Sequence, residues 1–172
     1  MTTRHTLPGL QIMVVLALAT ALSGCFRSDQ PFLTEANSVA PYAKITFREE
    51  HSPQTMTLSR VGSAYTGDTG QGVVTFRFMA LDRPNLYVVQ ASGPGVESRT
   101  GDNLVYVVVR IDLTEHRAFT FKSIGYHLDA GPGLRICGND ICIDELDAYI
   151  ADADAFVDAG RMWEANYQIT VE

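Results

Sequence analysis

The side chains that could do chemistry in this chain are few and scattered. His51 stands beside Ser52, a base next to a hydroxyl nucleophile. Neighbours on an extended segment point to opposite faces, and no Gly-x-Ser-x-Gly elbow surrounds them. His116 falls in an expected turn and His127 in an expected loop, each an ordinary surface imidazole. Gly67, Gly70 and Gly72 follow no strand–helix pattern of the kind that cradles phosphate. The acidic run from Asp140 to Asp158 lacks the alternating oxygen ligands and sixth-position glycine of a calcium loop. It suits the solvated face of a helix instead. Tyr65, Tyr87, Tyr106 and Tyr126 are potential contact residues, with Tyr87 and Tyr106 placed on the sheet face opposite a valine stripe; the favoured reading is that the helix or the tether covers that face. No catalytic, metal-binding or cofactor-binding set emerges, and the reading is non-enzymatic. What remains are three cysteines: Cys25 near the start, and Cys137 and Cys142 in Cys137-Gly138-Asn139-Asp140-Ile141-Cys142.

Cys25 ends an apolar leader. Arg4 and His5 sit in the polar start, and residues 12–22 are apolar apart from Thr20. As a helix that run would span only about 16 Å, roughly half a hydrocarbon core, which suits a signal peptide and not a membrane span. Leu22-Ser23-Gly24-Cys25 closes it and resembles the lipobox of bacterial lipoproteins. The resemblance covers residues 1–25 alone. It implies cleavage before Cys25, a diacylglycerol on the thiol, and an acyl chain such as palmitate on the new amino group. Phe26 follows, where Asp would be the usual inner-membrane retention signal, so the resemblance favours the periplasmic face of the outer membrane. Two or more acyl chains make such an anchor effectively stable. The partners expected are therefore the lipid bilayer, through acylated Cys25, and an envelope protein.

With Cys25 acylated, Cys137 and Cys142 are the remaining thiols, in an oxidising compartment, and a disulfide is expected. Gly138-Asn139-Asp140 between them is turn chemistry. So small a ring would contribute about 2 kcal/mol, enough to pin a helix start. The competing reading, a redox or metal pair, lacks the Cys-x-x-Cys spacing.

The leader, 1–24, carries one of the chain's 13 basic residues and none of its 20 acidic ones. The mature chain is therefore more acidic than the whole. That excludes nucleic acid as a partner, which calls for a basic face, and removes any attraction to anionic head groups. Residues 25–43 contain Pro31 and Pro41 and show no period. They are expected to form a lipidated Cys and a flexible tether with about 25 Å of coil reach.

Residues 44–172 are expected to form one globular α+β domain. Strand patterns cover 43–48, 54–61, 73–81, 86–91 and 162–171, with a short extended piece at 64–66. The strongest element is a hairpin over 103–123. In it Val105, Val107, Val109, Ile111 and Leu113 face one way, Tyr106, Val108, Arg110 and Asp112 the other, and Phe119 and Phe121 return inward. Residues 143–159 place Ile143, Leu146, Tyr149, Ile150, Ala153, Phe156 and Val157 at helical steps. The expected architecture is a curved antiparallel sheet of about six or seven strands, open or partly closed, with that one helix. A full eight-stranded lipocalin-like barrel is the alternative. Function follows the same division: an outer-membrane-anchored interaction module, with a small apolar ligand-binding lipoprotein as the alternative.

Overall fold

The structure, a computed structural model, describes residues 26–50, 55–94, 96, 104–120, 131–138, 140–159 and 164–172. The leader, Cys25, His51, Ser52, Phe121, Tyr126 and His127 lie outside the described residues.

Strict alternation builds most of the strands, because successive side chains on a strand face opposite ways. In β3 (Thr55–Val61) Met56 and Leu58 are buried among exposed neighbours. In β5 (Val73–Ala80) Val74, Phe76 and Phe78 are buried. Polar and glycine turns separate them; Gly62, at φ +63°, turns β3 into β4 (Ala64–Asp68). Asn85 (φ +59°) and His116 (φ +54°) hold the left-handed conformation just before β6 (Leu86–Ser92) and β8 (Arg117–Thr120). In the turn between β7 (Leu104–Asp112) and β8, the Asp112 carboxylate accepts the Thr114 and Glu115 amides at 2.9 and 3.0 Å.

With β2 (Lys44–Glu49) and β11 (Glu164–Val171), these strands form an eight-stave antiparallel barrel. Staves β2 to β8 follow chain order, and β11 closes the ring by pairing with both β8 and β2. The α+β class holds in outline, but the sheet is larger than six or seven strands and it is closed. Closure depends on pairing such as Ile45 with Val171, between segments far apart in sequence, which leaves no local signature.

Three further strands extend one side. β7 serves two partners on one edge: β8 takes its second half, and β1 (Phe26–Ser28) pairs at Leu104, Val105 and Tyr106. β10 (Asp140–Ile143) runs parallel to β1, and β9 (Leu134–Cys137) pairs antiparallel to β10. The helix α1 (Leu146–Asp158) is shorter than the 143–159 expected; Ile143 ends β10 instead of opening the helix. The Gly133 carbonyl accepts the Asp144 and Glu145 amides at 2.9 and 3.0 Å and so ties the β10–α1 connection to the start of β9. Arg83 clasps the far end of α1 through Asp154 (3.2 Å) and Asp158 (2.8 Å). These pairs are exposed, so solvent and salt screen them.

Two apolar cores result. One fills the barrel with Ile45, Leu58, Tyr65, Val74, Phe78, Val89, Ile111, Ala118 and Ile169 among others. The second lies outside the wall, where Tyr149 and Ala153 of α1 meet Phe26, Leu33, Leu86, Val88, Tyr106 and Val108. β6 lies between the two, which is why Leu86 to Ala91 are all buried. A strand covered on both faces needs no alternation.

Residues 26–43 depart furthest from expectation. They are packed structure, not a tether: Phe26 and Leu33 are buried, and Val39 bridges to Phe78. A segment with prolines and a three-residue strand carries no detectable period, so its order comes from the surface it covers. One further expectation changes. Leu113 lies beyond the end of β7 and is exposed, not part of the inward stripe. In β8 Ala118, registered with Ile111, belongs to the interior core, and the expectation for the Phe119 side chain lies outside what is described.

Candidate functional site

The candidate site is the barrel interior together with the strap that closes it. The valine stripe is placed as expected: Val105, Val109 and Ile111 are buried inside, with Val107 partly buried against them. Facing them, Tyr65 and Phe78 stack edge-on at 5.2 Å, and Phe78 and Tyr87 at 5.9 Å. Phe47 and Tyr167 make a further edge-on pair at 6.4 Å. Tyr87 therefore points into the barrel and not to the face opposite the stripe. In the apolar run of β6, parity alone gives no inside or outside.

The described lining of the interior is buried and closely packed. Every residue of its buried cluster is at most 8% exposed, and Ile45, Tyr65, Val74 and Ala118 are at 0%. Gly67 shows how tightly: a Cβ there would lie 2.7 Å from Leu58 Cδ2 and 3.0 Å from Met56 Cε. An eight-stranded barrel is just wide enough for side chains to fill it or for one small ligand to enter.

The strap seals the end near Tyr65. The Tyr65 hydroxyl donates to the Tyr42 carbonyl and accepts the Tyr42 amide, both at 3.0 Å. Ala40 and Tyr42 pack on the interior core. Burial pushes the Tyr65 and Tyr87 hydroxyls up from the ordinary phenol range. The chain ends at the same rim: the Ala43 amide donates to the Glu172 carbonyl, and Lys44 pairs with the Glu172 carboxylate.

Outside the wall, Gln90 and Tyr106 pair across β6 and β7 and hold the earlier part of the strap. Tyr106 donates to Gln90 Oε1 at 2.7 Å, with the Gln30 carbonyl as a second acceptor at 3.1 Å. Gln90 Oε1 also accepts the Leu33 amide at 2.9 Å, and the Tyr106 oxygen accepts the Phe32 amide at 3.0 Å. Burial raises the Tyr106 hydroxyl to about 12, against the pull of that amide. Tyr106 lies opposite the stripe, and that face is covered by the helix and by residues 26–33, the favoured expectation; at 1% exposure Tyr106 is a fastening and not a contact surface. Gln90 and Tyr42 were not expected to take part. The one available signal was a lone amide in an apolar strand, which burial obliges to find partners.

Cys137 and Cys142 form the expected disulfide, with Cα atoms 5.8 Å apart. Cys137 is registered with Asp140 and Cys142 with Arg135, so the bridge crosses the β9–β10 hairpin diagonally. Arg27 of β1 lies over it, donating to Cys137 Sγ (3.2 Å) and the Cys137 carbonyl (2.8 Å). His116 is exposed in its turn, and its carbonyl accepts the Ile169 amide. Within the acidic run Asp144 pairs with Arg135, and Asp154 and Asp158 pair with Arg83. Among the described residues no three His, Cys, Asp or Glu side chains converge to hold a metal ion. Among them, too, no helix is long and apolar enough to cross a membrane.

No family model, curated protein or solved structure matches the chain.

Proposed function

We propose that this protein is an envelope lipoprotein, acylated at Cys25 on the periplasmic face of the outer membrane, whose barrel is a rigid interaction module. The observation that carries the second half is the buried, strapped lining of the described barrel. A ligand-carrying barrel exposes its lining at an open mouth, whereas here the lining is buried and Tyr42 is bonded across one rim.

The second reading, an apolar ligand carrier resembling lipocalins, draws on one observation. Eight staves close around an interior lined by Val105, Val109, Phe76 and Phe78. Two measurements separate the readings. Cys25→Ala should move the protein from the membrane to the soluble fraction; unchanged fractionation would refute the anchor. A soluble apolar fluorescent probe should show no saturable one-to-one binding to the Cys25→Ala protein. Such binding, with a co-purifying lipid seen by mass spectrometry, would replace the interaction module with the carrier.

A further inference from the structure

β1 leaves no slack at its start. Phe26 is its first residue, pairs with Tyr106 on one side and Ile141 on the other, and is 3% exposed. Its ring lies 4.5 Å from that of Tyr149 in α1. In the parallel register Phe26 stands opposite Ile141, and the residue before Ile141, Asp140, pairs with Cys137. The last pair of the β9–β10 ladder is therefore one residue along β10 from the partner of Phe26, about 3.3 Å at the rise of a strand.

The same hairpin carries an exposed apolar side chain at the open sheet edge. Ile136 is 55% exposed on β9. The disulfide and the two Arg27 bonds to Cys137 tie hairpin and β1 into one unit. Acyl chains on Cys25 would start one peptide bond from that unit, about 3.8 Å between Cα atoms.

We infer that acylated Cys25 seats the β9–β10 hairpin, with Ile136, on the phospholipid surface and holds the barrel in one orientation. This rests on the lipid anchor proposed above. The far side is then presented to the periplasm: β3 is four staves from β7 in either direction around the ring, and Val61 at its end is 60% exposed.

The lipidated full chain is reconstituted in phosphatidylethanolamine–phosphatidylglycerol vesicles containing bromolipid, as Ile136→Trp and, separately, Val61→Trp. The signal of the single native Trp163 in the parent is subtracted. A side chain seated in the head-group layer should be quenched at least about twofold more at 136 than at 61. Equal quenching, or more at 61, in protein that floats with the vesicles overturns the orientation and leaves the anchor standing. Shielding of the Ile136→Trp ring without bromolipid quenching overturns it too, in favour of a protein occupant. Failure of the unsubstituted lipidated chain to float with vesicles overturns the anchor, and the orientation falls with it.

Discussion

Gln90 illustrates how much one buried polar group can fix. Its Oε1 accepts from both Tyr106 and Leu33, so it fastens strap to wall where no water can substitute. Gln90→Leu keeps the volume but strands the Leu33 amide. It should cost about 1–3 kcal/mol, read as a lower urea midpoint. Tyr106 adds a pH signature. Its hydroxyl has an ordinary value of 10.0 and is raised to about 12 in the fold. The folded state therefore keeps a proton that the unfolded chain gives up. The stabilisation is complete below pH 10 and is lost as pH rises through 12. Stability should fall across that window, and Tyr106→Phe should flatten the fall. Gly67 tests the interior directly. Gly67→Ala should destabilise by about 1–3 kcal/mol, because Leu58 and Met56 occupy the space a methyl would need. An unchanged midpoint would mean room inside the barrel.

At the scale of elements, the strap is the most informative piece. A flexible leash could be removed from the soluble domain without consequence. Removing 26–43 from this fold would uncover Tyr65, Gln90 and Tyr106 and delete Phe26 and Leu33 from the outer core. We expect that truncation to lower the melting temperature sharply and to create dye-binding apolar surface. The disulfide acts more locally. Its loss by Cys137→Ser with Cys142→Ser should cost about 2 kcal/mol. Faster amide exchange should be confined to β9, β10 and the start of α1.

For the whole molecule, the two cores are not independent domains. They share β6 and β7, whose residues face the barrel on one side and α1 with the strap on the other. Neither core keeps its wall if the other is lost. Thermal unfolding of the soluble protein should therefore be one cooperative transition, with far- and near-ultraviolet circular dichroism superimposing. Separate transitions would show that the outer layer melts first.

Local pattern in the sequence determined the half-buried strands. The alternation in β3 and β5 names its buried face before any fold is known, because one face of a strand must find a core. It also determined the helix, through Tyr149 and Ala153 at helical spacing, and the Cys137–Cys142 pair flanking turn residues. The leader motif at 22–25 is likewise a property of the sequence alone. Only the tertiary structure decided that the sheet closes, since β11 meets β2 and β8 through residues distant in the chain. It alone decided which side of β6 faces inward, because Leu86 to Ala91 are buried on both sides and carry no polar face. It alone turned 26–43 from an aperiodic segment into a strap, since the order there comes from partners such as Gln90, Tyr106 and Tyr65. Pairing and sealing are relations between distant residues, and a pattern along the chain records only what a residue needs from its neighbours.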